Sequence, residues 1–379
     1  MRICILSPIY PTFSNPPLGI FVHEQAKYLA KKGHSVHVIT FGNNEGKDYE
    51  IKDGVLVHRI KIYNFLLFKG AIFALLMVKK LIILNKKFDF DVVHSHFVGP
   101  LTVLIGLASK LTKKRLVTTV HGIGLLTENP IKKAMVRFYL QFPSKIICVS
   151  DYVSKLVSEC TSKNKIVIIN NGVDAEKLRP TLSAMAFKEK LGMKNEKILL
   201  SIGALIERKG IDIILNSLPI ILKSYKNLKY FIIGKGAEKE NLQNLVKKLG
   251  LEKYVVFTGI ISDDYLANFY NICDIFILMS RTINEKEGVE GFGIAYIEAS
   301  YFGKPVIGGK SGGTADSIIN NVTGYRIDPT NTKELARKVV ALLKDAKLSR
   351  KLGNKGMRRV KSQFLWEHNV KKLVQVYKS

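Results

Sequence analysis

Short runs of apolar and β-branched residues alternate with amphipathic stretches along the first half of the chain. The amphipathic stretches have helical spacing, and the first ends at Gly33, a residue that suits the end of a helix. Continuous apolar strands separated by helices are typical of a parallel sheet covered on both faces. The pattern therefore predicts a doubly wound α/β domain, with strands at 3–7, 35–40, 55–60, 91–96, 115–120, 145–150 and 165–170.

The same pattern restarts after Pro180, where polar residues indicate a linker. We expect one domain over 1–180 and a second over 181–363, with an amphipathic helix of about 364–379 packing back onto the first. Two such Rossmann-like parallel-sheet domains facing each other would form a central cleft at the carboxyl ends of their strands, where these sheets bind ligands. Strands of the second domain are predicted at 197–203, 228–234, 254–259, 274–280 and 304–309.

Composition narrows the class of protein. A hydrophobic content of 47% and only 11 prolines in 379 residues indicate a well-cored globular chain. Four cysteines without a CxxC pair indicate buried thiols of a reducing compartment, and neither disulfides nor a zinc site. The start of the chain is too soon broken by proline to be a signal peptide. We therefore expect a cytoplasmic protein.

The net charge of +28 is unusual, and the candidate partners it indicates are nucleic acid, an anionic membrane surface and phosphorylated substrates. No nucleic-acid-binding signature accompanies the charge, and aromatic residues are not interleaved with the basic runs. We therefore expect no nucleic-acid partner.

Residues 64–87 form a stretch of membrane-like composition. Lys69, Lys79 and Lys80 interrupt it, so it falls short of the roughly 20 apolar residues that a spanning helix needs. Two interpretations stay open. The helix could lie on the inner face of the cell membrane with its lysines attracting anionic lipid, or it could pack into the core with its lysines reaching solvent.

Glu290 and Glu298 bracket the segment EGFGIAYIEAS, in which a glycine turn runs into an apolar helical stretch. The N-terminus of a helix suits a phosphate, and carboxylates accept hydrogen bonds from hydroxyl groups. Eight positions separate the two carboxylates, about two helical turns, so both could face one cleft. The segment predicts a site for a ligand with phosphate and sugar; the alternative is an ordinary amphipathic helix with a solvated glutamate.

Other candidate residues follow predicted strands. Glycines at 19, 234 and 236 would let backbone N–H groups approach a ligand closely. Arg208 and Lys209 lie between a strand and a helix, where paired cations suit a departing diphosphate. His121 ends a strand, where an imidazole is well placed to act, and it is favoured over His94 and His96 because a histidine in mid-strand is more often a core residue.

Three other signals do not support a site. The histidines lack a recognisable zinc spacing. Asp89 and Asp91 form a DxD at the amino end of a strand, away from the expected ligand edge. The glycine-rich GGKSGG at 308–313 resembles the end of a P-loop, but Lys304 stands where that motif requires glycine.

Taken in order, these segments resemble the retaining GT-B glycosyltransferases of glycosyltransferase family 4, also called glycosyl transferases group 1. The segment around Glu290 is similar to that of the family's mannosyltransferases, including those acting on phosphatidylinositol lipids. The resemblance covers almost the whole chain and rests on GHSVHVIT (33–40), VTTVHG (117–122), NNGVD (170–174), ERKG (207–210), IIGKG (232–236), EGFGIAYIEAS (290–300), GKPVIGGKSGG (303–313) and TGYRIDP (323–329).

The resemblance implies roles for the candidate residues. Lys209 and an arginine would neutralise the donor diphosphate as it leaves, and His121 would contact the sugar near the reaction centre. Glu290 would hold hydroxyls of the transferred sugar, and Glu298 those of the ribose. The nucleotide-sugar-binding set as a whole would be Gly19, Gly203, Gly234, Gly236, Phe292, Gly293, Ile294 and Glu298.

One position departs from the family. Arginine usually follows the glycine that is Gly203 here, but this chain has Ala204, and Arg208 is expected to supply the missing charge. The opening loop also differs, with Leu18 before Gly19 where two glycines are common.

The implied function is retaining transfer of a hexose from a nucleotide sugar to a lipid, lipid-linked or glycan acceptor, without a cofactor or metal. The expected donor is GDP-mannose, followed by UDP-glucose or UDP-N-acetylhexosamine. Two alternatives stay open: a nucleotide-sugar-modifying enzyme of the same fold that acts as an epimerase, and a non-catalytic protein that binds nucleotide sugars or glycans.

Overall fold

The computed structural model describes residues 1–12, 17–42, 49–61, 69–122, 127, 129–283 and 288–379. Over these residues the chain forms two compact units. Unit 1 consists of Met1–Gly172 with Trp366–Ser379, and unit 2 of Val173–Leu365.

The unit boundaries differ from the expected ones, because the segments at the two boundaries, around Val173 and Leu365, pair with each other. The N–H of Val173 donates to the carbonyl of Phe364 at 2.7 Å, and Val173 forms a bridge with Leu365. Residues 173–180, assigned to the first domain from the sequence, therefore belong to unit 2, and this unit ends two residues beyond position 363.

Unit 1 contains an eight-stranded sheet of order β3-β4-β2-β1-β5-β6-β7-β8 within the described residues. Every neighbouring pair is parallel except the β3–β4 pair at the edge. The strands are β1 (Arg2–Leu6), β2 (Ser35–Gly42), β3 (Tyr49–Lys52), β4 (Val55–Lys61), β5 (Val92–Ser95), β6 (Arg115–Val120), β7 (Lys145–Cys148) and β8 (Ile166–Ile168). The sequence analysis missed β3 because this edge strand is mostly exposed and lacks an apolar run.

The described part of unit 2 contains a six-stranded sheet of order β11-β10-β9-β12-β13-β14, with parallel pairing throughout. Its strands are β9 (Lys197–Ile202), β10 (Leu228–Ile233), β11 (Val255–Gly259), β12 (Ile275–Leu278), β13 (Val306–Gly309) and β14 (Gly324–Ile327). The last strand was not predicted, because its short run contains a glycine and an arginine. The prediction of two parallel-sheet, Rossmann-like α/β domains is confirmed.

Helices connect most of the strands. They are α1 (Ile20–Lys31), α2 (Lys69–Phe88), α3 (Pro100–Leu111), α4 (Pro130–Tyr139), α5 (Asp151–Ser158), α6 (Ala184–Lys190), α7 (Ile211–Ser224), α8 (Lys239–Lys248), α9 (Asp263–Ile272), α10 (Ile294–Tyr301), α11 (Thr314–Ser317), α12 (Thr332–Lys344), α13 (Ala346–Gln363) and α14 (Trp366–Lys378). Short 3-10 turns occupy Lys163–Lys165 and Glu207–Lys209.

Both faces of the unit 1 sheet are buried, as β1 illustrates. Ile3 and Ile5 belong to the core cluster that includes side chains of α1 and α14. Cys4 and Leu6 belong to the cluster that includes side chains of α2 and α3. This burial on both sides is the reason that the strands are continuous apolar runs in the sequence.

The C-terminal helix α14 belongs to unit 1. Val370 and Leu373 lie in its core, and the indole N–H of Trp366 donates to Oε2 of Glu24 at 2.8 Å. At the other end of the helix, the Tyr377 hydroxyl is hydrogen-bonded to a buried histidine. Apolar packing and polar contacts at both ends thus attach this helix to unit 1.

Helix α2 covers most of the membrane-like stretch, of which residues 64–68 lie outside the described part. The helix packs into the core through a stripe that comprises Ala74, Met77, Leu81 and Leu84. It also has exposed apolar side chains, namely Leu75, Leu76 and Ile83. Among the described residues, no helix is both long and apolar enough to cross a membrane.

Candidate active site

Three hydrogen-bond donors converge on one oxygen of Glu290. Lys209 Nζ lies 2.6 Å, Arg208 Nη1 3.1 Å and Ser280 Oγ 3.1 Å from Oε2. Burial opposes ionisation of this carboxyl group. The charges of Lys209 and Arg208, with the hydrogen bonds from Lys209 and Ser280, outweigh burial and lower the pKa of Glu290 to about 2. Glu290 is therefore a carboxylate at neutral pH and only accepts hydrogen bonds.

The same cluster retains unused hydrogen-bonding groups. Within the described part of the chain, Oε1 of Glu290 has no hydrogen-bond partner. Nε of Arg208 is buried and also lacks a partner there. Since buried polar atoms are nearly always paired in folded proteins, the unpaired Nε of Arg208 indicates a place for a polar ligand.

The two cations lie in the 3-10 turn between β9 and α7. Gly210 ends the turn with a φ of 63°, in the left-handed region that favours glycine. A β-carbon added at Gly210 would lie 2.1 Å from the carbonyl oxygen of Met279, just after β12. Glycine therefore allows the turn to lie directly against the carboxyl end of β12, and Lys209 and Ser280 reach the same carboxylate.

Arg281, which the sequence analysis did not single out, stabilises this turn. Its guanidinium lies 3.0 Å from Oδ2 of Asp212 and 3.3 Å from Oε1 of Glu207. Its backbone N–H donates to the carbonyl of Arg208 at 2.9 Å. Arg281 and Ser280 follow β12 almost directly, so their position at a strand end is the signal that could have found them.

The glycine-rich segment 308–313 supports the backbone of Glu290. The N–H of Gly313 donates to the carbonyl of Glu290 at 2.7 Å. Gly312 has a φ of 54°, and a β-carbon there would lie 2.3 Å from the same carbonyl oxygen. The segment that resembled a P-loop thus packs against the candidate site.

Helix α10 begins directly after Gly293, whose φ is 90°. The N–H groups of Phe292, Gly293 and Ile294 have no acceptor among the described residues. Such groups at a helix N-terminus suit an anion. The buried ring of Phe292 packs edge-on against Phe364, with ring centroids 5.5 Å apart, and this contact holds the start of the helix.

Glu298 has a different environment from Glu290. Its Oε2 accepts a hydrogen bond from the hydroxyl of Tyr270, on α9, at 2.7 Å. Burial raises the pKa of Glu298, and the hydrogen bond from Tyr270 offsets only part of this effect. The two carboxylates share no hydrogen-bond partner within the described residues, so one is held by cations and the other by a phenol.

Gly203, Gly234 and Gly236 bring two strand-end loops together. A β-carbon at Gly234 would lie 1.9 Å from the carbonyl oxygen of Gly203, and one at Gly236 would lie 2.1 Å from that of Leu205. A β-carbon at Gly203 itself would stand 3.6 Å from Cε of Lys209. In this structure the close approach that Gly234 and Gly236 permit is between protein loops, beside the Lys209 side chain.

Two further candidates, Gly19 and His121, lie in unit 1. Gly19 precedes α1 with a φ of 66°, and a β-carbon there would lie 2.5 Å from the carbonyl oxygen of Ile9. His121 follows β6 and packs against the ring of Phe21, with centroids 4.5 Å apart. Burial lowers the pKa of His121 to about 4, so its imidazole is neutral at physiological pH.

The other two histidines considered from the sequence lie beneath His121. His96 is hydrogen-bonded to it, with Nδ1 of His96 3.1 Å from Nε2 of His121. His94 is fully buried, and its ring nitrogens lie 2.6 Å from the Tyr377 hydroxyl and 2.7 Å from Oγ1 of Thr119. His94 therefore joins the sheet to α14, whereas His96 contacts the candidate residue.

The DxD pair lies at the amino end of the unit 1 sheet. Asp89 is 2.6 Å from Nζ of Lys114, and the Arg2 guanidinium lies 3.1 Å from Asp89 and 3.4 Å from Asp91. In the described ranges of the chain, no group of three His, Cys, Asp or Glu side chains is arranged to hold a metal ion. The four cysteines are free thiols, three of them buried.

The described residues form two Rossmann-like units, and paired cations with a carboxylate lie at the strand ends of one of them, where such sheets bind ligands. Residues 18–177 match the family model "Glycosyltransferase Family 4", and residues 184–359 match "Glycosyl transferases group 1". Together the two models cover most of the chain. The protein therefore belongs to this glycosyltransferase family, and the resemblance found in the sequence is confirmed.

Two curated relatives illustrate the range of the family. The chain is 27% identical to N-acetyl-alpha-D-glucosaminyl L-malate synthase of Bacillus anthracis, over 100% of this chain and 97% of that protein. It is also 27% identical to GDP-mannose-dependent alpha-(1-6)-phosphatidylinositol monomannoside mannosyltransferase of Mycolicibacterium smegmatis, over 76% of each chain.

Solved structures share the fold over the whole chain. Anabaena HepE in complex with UDP is similar with a TM-score of 0.82 and 19% identity, over 100% of both chains. A glycosyltransferase from Rickettsia africae has a TM-score of 0.82 and 25% identity, over 100% of this chain and 98% of that one.

The contact between the 3-10 turn and β12 predicts a large effect of Gly210→Ala. Gly192→Ala is a matched control, because Gly192 also lies in unit 2 with a φ of 66° but has open space around it. We expect Gly192→Ala to cost about 1–2 kcal/mol from the left-handed conformation, and Gly210→Ala a further ~1–3 kcal/mol from overpacking. Urea unfolding followed by circular dichroism measures both, and equal losses would contradict the contact.

Proposed function

We propose that the protein transfers a hexose from a nucleotide sugar to a lipid, lipid-linked or glycan acceptor with retention of configuration. The observation that carries the proposal is the convergence of Lys209 and Arg208 on Glu290. GDP-mannose is the first donor to test, supported by the name of the mycobacterial relative. UDP-glucose and UDP-N-acetylhexosamine follow, because the HepE structure contains UDP.

In this proposal the donor diphosphate binds beside Lys209 and Arg208. Both side chains are largely buried, so their charges act in a medium that screens them less than water does. Arg208 would supply the charge that is absent at Ala204, since its guanidinium reaches the same carboxylate oxygen as Lys209. The unpartnered N–H groups that begin α10 would bind phosphate oxygens.

The carboxylates would bind the hydroxyl groups of the donor. Oε1 of Glu290 is the acceptor that the cations leave unused, and it would hold a hydroxyl of the transferred sugar. Glu298 would bind the ribose, with Tyr270 holding its other oxygen in place. His121 would contact the sugar through its neutral imidazole.

We infer that the acceptor hydroxyl attacks the anomeric carbon from the face that the diphosphate leaves. The bond from the anomeric carbon to the phosphate oxygen breaks, the bond to the acceptor oxygen forms, and the leaving phosphate takes the acceptor's proton. Glu290 stays in its ion pairs and forms no covalent bond to the sugar. Catalysis then consists of positioning and of stabilising the charge on the diphosphate.

The first prediction of this proposal concerns Lys209→Ala. Loss of one such charge-stabilising donor should reduce kcat on the order of 10²–10³-fold without unfolding the protein. A thermal-shift panel of GDP- and UDP-sugars first selects the donor, because a ligand that binds only the folded state raises its stability. Transfer to lipid and glycan acceptors is then measured.

The matched control is Lys247→Ala, which removes an exposed lysine of α8 and should retain full activity. Near-normal turnover by Lys209→Ala would contradict the assignment. Conversion of the donor in the absence of any acceptor would indicate a nucleotide-sugar-modifying enzyme, and binding without turnover would indicate a non-catalytic protein.

A second prediction follows from the charges of Lys209 and Arg208. If these cations neutralise the leaving diphosphate, no divalent metal is needed. The initial rate should be the same after treatment with EDTA as with added Mg²⁺. A strict requirement for Mg²⁺ would contradict this scheme.

We also propose that unit 1 contacts an anionic membrane surface at its cytoplasmic face. Ile131, Met135 and Phe138 lie along one side of α4 and are 71%, 46% and 49% exposed. Leu107 and Leu111 of α3 are also exposed. We call these five residues the α3–α4 surface. Phe142 links its two helices: its ring packs on Phe138 and lies under the Lys110 ammonium group.

The charge of the residues around the α3–α4 surface suits binding to anionic lipid. Residues 100–142 contain seven basic side chains and one acidic side chain, Glu128. Exposed apolar side chains with lysines around them are suited to the interface of an anionic bilayer. The exposed side of α2, with Leu75, Leu76 and Ile83, is a second apolar surface of unit 1.

The third prediction is that the protein floats with phosphatidylglycerol vesicles and not with phosphatidylcholine vesicles. Leu111→Ser should weaken binding about tenfold or more, since burying a leucine side chain contributes about 1.5–3 kcal/mol. Met185→Ser is the control, because Met185 of unit 2 is 80% exposed and Leu111 is 82% exposed. Ile83→Ser tests the α2 side. Failure of the wild-type protein to float would remove the membrane from the proposal.

A further inference from the structure

His121 is the outermost of three side chains that are joined by hydrogen bonds into a chain within unit 1. Nε2 of His96 lies 3.1 Å from Oε1 of Gln25, and Nδ1 of His96 lies 3.1 Å from Nε2 of His121. Gln25, on α1, and His96, just after β5, are both buried. His121 is half-buried and is the most exposed member of the chain.

The chemistry of the buried end determines where the hydrogens lie. The amide oxygen of Gln25 can only accept, so Nε2 of His96 carries a hydrogen. Burial holds the pKa of His96 well below its usual value, so the ring is neutral and has a single N–H. Nδ1 of His96 is therefore an acceptor, and Nε2 of His121 must be the donor to it.

The same reasoning determines whether Nδ1 of His121 carries a hydrogen. His121 is also neutral, so a hydrogen on Nε2 leaves an unprotonated Nδ1 with a free lone pair. Within the described residues this Nδ1 has no hydrogen-bond partner. It is thus an acceptor available to a ligand.

His94, the neighbouring buried histidine, shows why the group at the inner end of the hydrogen-bond chain matters. Its two partners are the hydroxyls of Tyr377 and Thr119, and each hydroxyl can either donate or accept. These contacts are compatible with either tautomer of His94. Only a chain that ends in an acceptor, as at Gln25, fixes the direction of every hydrogen bond in it.

We propose that Gln25 and His96 are positioning residues that hold His121 in the Nε2-protonated tautomer, so that its Nδ1 accepts a hydrogen bond from a substrate hydroxyl. A lone pair repels phosphate oxygens and attracts a hydroxyl hydrogen, so this nitrogen selects a sugar hydroxyl over the diphosphate. The identity of the hydroxyl as part of a sugar substrate rests on the proposed function, whereas the tautomer does not.

The tautomer is measured directly by two-bond ¹H–¹⁵N correlation spectra of protein labelled with ¹⁵N-histidine. His121→Gln assigns the His121 signals. In the wild-type protein, Nε2 of His121 should appear protonated and Nδ1 unprotonated. A protonated Nδ1 would overturn the proposal and leave the proposed transferase function untouched.

Variants then test the chain itself. His96→Leu removes the acceptor of the His121 hydrogen, and Gln25→Leu removes the group that orients His96. In both variants His121 should populate the two tautomers together, whereas His96→Asn retains an acceptor oxygen and should restore much of the wild-type spectrum. His37→Phe is the control, because His37 is also buried and hydrogen-bonded to a second histidine, His58, but lies near the amino end of β2. An unchanged His121 spectrum in His96→Leu would overturn the positioning role.

The role toward substrate is tested with deoxy and deoxyfluoro forms of the donor that supports turnover. Fluorine cannot donate a hydrogen bond, so for one hydroxyl both analogues should lower kcat/KM about tenfold with the wild-type enzyme. With His96→Leu, kcat/KM for the parent donor should fall, and the loss caused by the analogues should shrink. If every deoxyfluoro donor matches its parent in the wild-type enzyme, His121 does not accept from the sugar. If no donor is turned over, the proposed function fails and the spectra still decide the tautomer.

Discussion

The unit 2 site depends on a buried carboxylate whose charge is stabilised by two neighbouring cations. Glu290 would be costly to ionise in that position by itself, and Lys209 and Arg208 would be costly to bury without it. Their ion pairs therefore require three loops to keep fixed positions relative to one another. These are the turn after β9, the end of β12 and the glycine-rich segment after β13. Gly210 and Gly312 allow the close backbone contacts that this arrangement needs, and Arg281 attaches the first loop to the second.

The two units offer different chemistry to a ligand. Unit 2 presents cations, unpartnered N–H groups and carboxylates, which suit phosphates and hydroxyls. Unit 1 presents a neutral imidazole at the end of a buried hydrogen-bond chain. Burial disfavours the charged form of a side chain in both units. The cations beside Glu290 outweigh this effect, whereas no charge outweighs it around His96 and His121. The result is a fixed anion in one unit and fixed neutral rings in the other.

Much of the fold was predictable because parallel strands buried on both faces leave a clear apolar signature. β1, β2 and β9 were recognised for that reason, whereas β3 and β14 were missed because an edge or polar strand lacks it. The linker was placed too late along the chain, since the bridge between Val173 and Leu365 joins positions that are distant in sequence. Within unit 2, Lys209 and Glu290 were found through their motifs, but Ser280 and Arg281 belong to no motif that was recognised.

The sequence alone determined the α/β class, the glycosyltransferase family and the residue types available for binding phosphate and sugar. These properties follow from local patterns of apolar residues, glycines and charges. Only the tertiary structure decided which oxygen of Glu290 is occupied, that Tyr270 holds Glu298, and that Gln25 and His96 stand behind His121. Hydrogen bonds and ion pairs depend on distances of about 3 Å between side chains far apart in the chain, and spacing along a sequence carries no information about such distances.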